Sequence, residues 1–236
     1  MAKDASLKAL LLDFGCVITR SIFENMDLVE RGLGLAAGTI AWRGPLNPAG
    51  DPLWRHMQAE RITERQYWAM RSAEVAELVG EDWGVYGLQE RAAVVCGQAW
   101  FRAEIVDLLD DARAAGIRTG VLTNELALFH TQEWLDAVPA LKRIDAVVDA
   151  TFTKVLKPDP RAYEMALEAL QARPGQTLFV DDQLRNVRGA EAAGMQALHF
   201  DVRQPAEMIA EIRTRLRLRR GSGKPAQPER KQRRAD

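Results

Sequence analysis

Four polar groups along this 236-residue chain stand directly after apolar runs or directly before a helix signal: Asp13, Thr123-Asn124, Lys157-Pro158 and Asp181-Asp182. Three carboxylates brought together cannot all stay ionised without a counter-charge. A divalent cation supplies one, and Mg²⁺ favours a few carboxylates completed by water and substrate phosphate oxygens. Lys157 would add a fixed positive charge and Thr123 a hydroxyl donor, so the set reads as a cradle for a phosphate dianion. Within it Asp13 could attack phosphorus, giving an aspartyl-phosphate that water then hydrolyses. Taken singly, each group has an ordinary role: a turn or cap Asp, a helix-start Thr-Asn, a loop Lys-Pro, a solvated Asp pair. Their order and shared placement carry the joint reading.

That reading requires a sheet whose strands end at one crevice, as the carboxyl ends of an open α/β sheet do. Leu7–Leu12, Ile117–Leu122 and Thr177–Val180 are short apolar runs of the kind buried on both faces of a parallel sheet, and Ala146–Val148 and Ala197–Phe200 are weaker ones. Helical patterns alternate with them. Ala103–Ala115 stops at Gly116, Asp159-Pro160 opens a helix running to Leu170, and Asn186–Ala193 ends at Gly194. The alternation predicts an α/β fold with a Rossmann-like parallel sheet.

Residues 20–102 break the alternation and read as helices only. Thr63 and Gln66 form a capping box ahead of a helix that Gly80 stops after Val79, and a second helix is predicted over Gln89–Trp100. Arg43–Pro52 is a Gly/Pro loop. This predicts a small all-helical cap inserted after the first strand, with core segments 1–19 and 103–212 and a basic end at 213–236. Trp42, Trp54, Trp68, Trp83 and Trp100 all fall in the insert. Most are expected to pack its core, with Trp42 and Arg43 the expected exceptions. Arg102 falls at the expected hinge between insert and core, where it could equally be a surface charge.

Bulk properties bound the rest. Ten Lys/Arg after residue 212 leave that end at +8 and the body near −9. An acidic body with a short basic end argues against a nucleic-acid partner. From about residue 221 the end is polar and without periodicity, so disorder is expected there. Cys16 and Cys96 stand in unrelated contexts, and His56, His130 and His199 are scattered, so neither a disulfide framework nor a His-rich metal site is predicted. No apolar run reaches the length of a leader or a membrane span. A soluble cytoplasmic chain without a membrane partner is the expectation.

The stretches LLLDFGCVIT, GVLTNE, LKPDPRAYEMAL and TLFVDDQLRNVRGAEAAGM resemble the haloacid dehalogenase (HAD) superfamily of hydrolases, and the resemblance runs from Leu7 to about Phe200. It implies that Asp13 is the nucleophile and a Mg²⁺ ligand. It further implies that Thr123, Asn124 and Lys157 hold the phosphate of a small-molecule substrate, that Asp182 assisted by Asp181 binds Mg²⁺, and that Asn186 supports them. Most phosphatases of the superfamily carry a second Asp two residues after the nucleophile, where this chain has Gly15. That position's backbone carbonyl, which also touches Mg²⁺ in the family, survives. The lost acid–base help is worth roughly 10²–10⁴ in rate. The Asp-x-Gly form, with AERITERQYW and FHTQEWL, is similar to the α-D-glucose-1-phosphate phosphatase branch. A 2-haloacid dehalogenase, whose chemistry needs no general acid, and a catalytically weak binding or regulatory protein are the other readings. Cys16 occupies a usual Gly position and is expected to be a small packed residue, not a reactive thiol.

Overall fold

The computed structural model describes residues 6–218; the expected disordered end beyond about residue 221 lies outside them. Five parallel strands form one sheet: β1 (Ala9–Leu12), β2 (Arg118–Thr123), β3 (Ala146–Asp149), β4 (Thr177–Asp181) and β5 (Gln196–His199), in the order β3-β2-β1-β4-β5. Side chains alternate across a strand, and here both faces are apolar. Leu10 and Leu12 of β1 pack with Ile105, Leu108 and Ile212, while Ala9 and Leu11 pack with Tyr163, Ala166 and Ala190. Covering both faces with helices is what lets so short an apolar strand stand at the centre of the sheet.

Between β1 and β2 the chain forms α1 (Met26–Gly32), α2 (Pro52–Gln58), α3 (Glu64–Val79) and α4 (Gly87–Cys96), and α5 (Ala103–Ala114) then packs on the sheet. Both bonds of the Thr63/Gln66 capping box are present, and Gly80 closes α3 at φ 73°. The helix expected over Gln89–Trp100 is shorter than the pattern suggested. Gly97, at φ 50° and ψ −123°, breaks it after Cys96, and a 3₁₀ turn carries the chain to Trp100. The Gly/Pro loop is held from inside. Asp51, fully buried, accepts from the backbone of Gly44 and Trp54 and from Tyr67 Oη, and pairs with Arg71.

After β2 come the short helices α6 (Leu126–Phe129) and α7 (Gln132–Ala137), then α8 (Ala150–Thr153) after β3. The core closes with α9 (Pro160–Ala169), α10 (Leu184–Ala192) and α11 (Pro205–Arg215). Gly189 lets α10 approach α9: a Cβ there would meet Tyr163 Oη at 2.5 Å. Arg213 and Arg215, read from the sequence as part of the basic end, lie on α11 and pair with Asp111 and Glu211.

The insert leaves and rejoins the core through two paired segments. Arg20 N donates to Trp100 O at 2.7 Å and Arg102 N to Ile18 O at 3.1 Å, around an antiparallel bridge between Thr19 and Phe101. Arg102 is buried at this hinge and is no surface charge. Its guanidinium bonds Glu24 at 2.7 Å and Cys16 O at 3.1 Å.

Phe14–Ile18 forms one wide turn after β1, with Thr19 N donating to Phe14 O. Cys16 sits in it at φ 61°, a left-handed conformation that costs an L-residue roughly 1–2 kcal/mol. Cys16→Gly is therefore expected to leave the urea midpoint unchanged or higher, and Cys16→Val to lower stability by about 1 kcal/mol or more. A Cys16→Gly midpoint well below wild type would contradict a backbone reason for the position.

Candidate active site

The sheet order places β1 between β2 and β4, and the carboxyl ends of these strands carry the polar groups to one place. Asp13 follows β1 and its N–H donates to Val180 O at 2.8 Å, in line with the β1–β4 ladder. Thr123 ends β2, and Asp181 ends β4 with Asp182 just beyond. Lys157 arrives on the loop before α9. Asn124 holds that loop: its Oδ1 accepts from Lys157 N at 2.8 Å and its Nδ2 donates to Lys157 O at 3.3 Å. The Asn124 side chain thus fixes the lysine's backbone.

Lys157 Nζ donates to Asp13 Oδ1 and to Asp181 Oδ2, each at 2.7 Å. Asp181 is fully buried and also accepts from Gln183 N at 2.8 Å and from Asn186 Nδ2 at 3.1 Å. Asp182 accepts from Gln183 Nε2 at 3.0 Å. Carboxylate oxygens of Asp13, Asp181 and Asp182 all lie within 4.8 Å of one another. The groups marked out by the sequence therefore meet in one crevice. Thr123, Asn124, Lys157, Asp182 and Asn186 line the same cavity as Asp13 and Gly15, whereas Asp181 stands behind it.

Electrostatics follow from this crowding. Burial, opposed by Lys157 and reinforced by Asp181, raises the Asp13 carboxyl to about 7. Burial, then Asp181 and Asp13, push Asp182 upward as well. Burial alone would lower the Lys157 ammonium, but Asp13 and Asp181 outweigh it and hold it above its ordinary value. Three acids against one ammonium leave a site short of positive charge. Cys16 is pushed well up by burial and by Asp182, so its thiol is protonated at neutral pH, in keeping with a packed and unreactive residue.

The upper wall of the cavity comes largely from the insert. Trp54, Trp68 and Trp100 line it with Ile22 and Phe23, and Leu126, Phe129 and His130 face them from the core. Trp42 and Arg43, the expected exceptions, are not on this wall. Trp42 lies in the insert's own core under the Arg71 guanidinium, and Arg43 bonds the carbonyls of Ile40 and Trp42. Sequence reasoning did not single out the ties between insert and core. Gln58 Nε2 donates to Gln183 Oε1 at 2.9 Å, Arg185 pairs with Glu64 at 3.1 Å, and Tyr86 Oη donates to Glu125 at 3.1 Å. His130 stacks on Trp134 at 3.6 Å, and burial lowers it to about 4, which keeps the imidazole neutral at pH 7. Gln89 borders the cavity with both carboxamide atoms buried and without a partner among the described residues. Each of these is a lone polar or ring side chain whose partner lies far off in sequence or is absent among the described residues, so spacing carries no signal for it.

Comparison with known proteins agrees with this geometry. The haloacid dehalogenase-like hydrolase family matches residues 8–194. Phosphatase MT3486 of Mycobacterium tuberculosis (strain CDC 1551 / Oshkosh) is 38% identical over 93 residues, 39% of this chain and 43% of that protein. The match thus spans less than half of that phosphatase. (S)-2-haloacid dehalogenase 4A of Burkholderia cepacia is 24% identical over 207 residues, covering 83% of this chain and 84% of that one. Among solved structures, the HAD-hydrolase YfnB from Bacillus subtilis, bound to magnesium, superposes with a TM-score of 0.63 at 17% identity, over 83% of this chain and 87% of that one. With the family pattern extending over most of its length and the acid cluster at the strand ends, this chain belongs to the haloacid dehalogenase-like hydrolases.

Proposed function

We propose that the protein is a Mg²⁺-dependent phosphatase acting on a small phosphorylated molecule through an aspartyl-phosphate on Asp13. The observation that carries this reading is Asp13 held at 2.7 Å by Lys157 within a cluster of three carboxylates at the floor of a cavity. The residues fit a magnesium ion. The donors are hard carboxylate oxygens, Gly15 stands at the cavity beside them, and the buried Asn186 Oδ1 has no partner among the described residues. Asp13, Asp182 and the Gly15 carbonyl would hold the ion, with Asp181 behind them. Bound there, it would neutralise charge on the phosphate and on the acids.

The chain's own residues supply the rest. A carboxylate oxygen of Asp13 attacks phosphorus, the bond from phosphorus to the ester oxygen breaks, and the leaving oxygen departs with its electron pair. Water then attacks phosphorus, returning the Asp13 carboxylate and releasing phosphate. Lys157 and Thr123 bind and orient the phosphate, and Asn124 keeps the Lys157 loop in place. Asn186 and Gln183 fix Asp181, which in turn positions the Lys157 ammonium.

Gly15 decides which esters suit this site. No side chain there can protonate the leaving oxygen, so leaving groups stable as anions are favoured: an anomeric sugar phosphate, as in the α-D-glucose-1-phosphate phosphatase branch, or an aryl or acyl phosphate. The backbone at Gly15 is ordinary, and a Cβ would meet nothing within 4 Å. Gly15→Asp is accordingly expected to fold and to raise turnover of simple alkyl phosphates by roughly 10² or more. An unchanged alkyl phosphate rate would show that proton donation does not limit this site.

Asp13→Asn is expected to abolish phosphate release from acetyl phosphate while leaving the circular dichroism spectrum unchanged; equal rates in mutant and wild type would refute the mechanism. Halide release from a 2-haloacid without added metal, and no phosphate release, would favour the dehalogenase reading instead. A raised carboxyl favours the folded state in acid, and this contribution is lost as pH climbs from the ordinary 3.8 towards about 7. The metal-free protein should lose stability across that window. Because Mg²⁺ needs ionised ligands, it should raise Tm more at about pH 8 than at about pH 5. An equal gain at both would contradict metal binding at these acids.

A further inference from the structure

The cavity that opens on the acid cluster has a volume of about 160 Å³, which leaves room beside a phosphate for only a small leaving group. Its upper wall is aromatic and aliphatic: Phe23, Trp54, Trp68, Trp100, Leu126 and Phe129. Phe23 is stacked by Trp68 at 5.7 Å and met edge-on by Trp54 at 5.4 Å, so the wall is a packed surface. Polar side chains at this cavity are largely engaged with one another. Ser21 bonds Glu24 at 2.8 Å, Glu125 accepts from Tyr86 at 3.1 Å, and Glu64 pairs with Arg185 at 3.1 Å. The side chains left without a partner among the described residues at this cavity include Gln89 and the Arg20 guanidinium.

Of these two, Gln89 is the buried one. It is 9% exposed on α4, and neither Nε2 nor Oε1 has a partner among the described residues. A buried carboxamide left unpaired is destabilising, and a ligand group that bonds it recovers that loss.

Resting on the phosphatase reading, we propose that the substrate's leaving group is a small apolar ring carrying one hydrogen-bonding group, seated against Trp68 and Phe129 and read by Gln89. The same ring explains the tolerance of Gly15. A phenolic or aromatic acyl oxygen leaves as a stabilised anion and asks for no proton.

Binding and turnover test this separately. Kd values in the presence of Mg²⁺ are measured by calorimetry for methylphosphonate, phenylphosphonate, the hydroxyphenylphosphonate isomers and phosphonoacetate. Phenylphosphonate is expected to bind roughly tenfold or more tightly than methylphosphonate. At least one hydroxy isomer should bind more tightly still, and Gln89→Leu should remove that increment. Trp68→Ala and Phe129→Ala, both at partly exposed wall positions, should each shrink the phenyl preference. In turnover, benzoyl phosphate should exceed acetyl phosphate in kcat/KM, since the two carboxylate leaving groups differ chiefly in the ring. Methylphosphonate or phosphonoacetate binding as tightly as phenylphosphonate would overturn the ring, and so would equal kcat/KM for the two acyl phosphates. The absence of any hydroxy-isomer gain would overturn the role of Gln89. If phenylphosphonate binds tightly yet no acyl phosphate is hydrolysed, the pocket assignment stands and the phosphatase reading fails. If no phosphonate binds and no phosphate is released, both fail.

Discussion

The contact between the Lys157 ammonium and two carboxylates, at 2.7 Å to Asp13 and 2.7 Å to Asp181, is the interaction on which the rest of this molecule depends. Two like charges about 4 Å apart repel by roughly 4 kcal/mol at an effective dielectric near 20. Three acids gathered at the ends of buried strands therefore need rigid surroundings and positive charge. The fold supplies the rigidity. Strands β1, β2 and β4 are adjacent, both faces of the sheet are covered, and Asn124 grips the lysine's loop through two hydrogen bonds. Lys157 is almost wholly enclosed, and so is Asp181. The remaining shortfall of positive charge is what a divalent cation and a phosphate together would resolve, since each supplies what the other needs.

The core and the insert divide the work. The core delivers the three acids and Lys157 on strand ends and on loops pinned to them. The insert contributes the aromatic wall and approaches the acid cluster through Gln58, which donates to Gln183, itself bonded to Asp182. The insert's placement is therefore coupled to the orientation of one carboxylate. The hinge that carries it is not loose: Arg102, buried, joins Glu24 of the insert to the Cys16 carbonyl of the turn after Asp13. A cap joined in this way both shapes the cavity and braces the loop bearing Asp13.

Much of this was legible in the sequence, for definite reasons. The three central strands were readable as short continuous apolar runs because they are buried on both faces, while the edge strands β3 and β5, only partly buried, gave weaker runs. The helix over Glu64–Val79 was readable at both ends because its capping box and closing glycine are local chemistry. Asp13, Thr123, Lys157 and the Asp181-Asp182 pair were readable because each follows directly on such a run or precedes a helix cap. Other features were hidden. The helices Leu126–Phe129, Gln132–Ala137 and Ala150–Thr153 are too short to show a period. The predicted helix over Gln89–Trp100 overran because the helical pattern was carried on to Trp100 past Gly97, the glycine whose positive φ breaks the helix. Trp42 was expected to face a ligand and instead lies in the insert's core, since sequence position beside a loop does not tell which way a ring points. The pairings of Arg102 with Glu24, Gln58 with Gln183 and Asn124 with Lys157 link residues far apart in sequence, and only the folded chain brings them together.

Covalent phosphorylation of Asp13 is the step on which the proposed function turns. The most direct measurement is mass spectrometry of the protein quenched in acid during Mg²⁺-dependent turnover of acetyl phosphate. The account predicts a phosphoryl group on the peptide containing Asp13, absent when a chelator is present. Steady release of phosphate with that peptide unmodified, or with the phosphoryl group on a different residue, would contradict it.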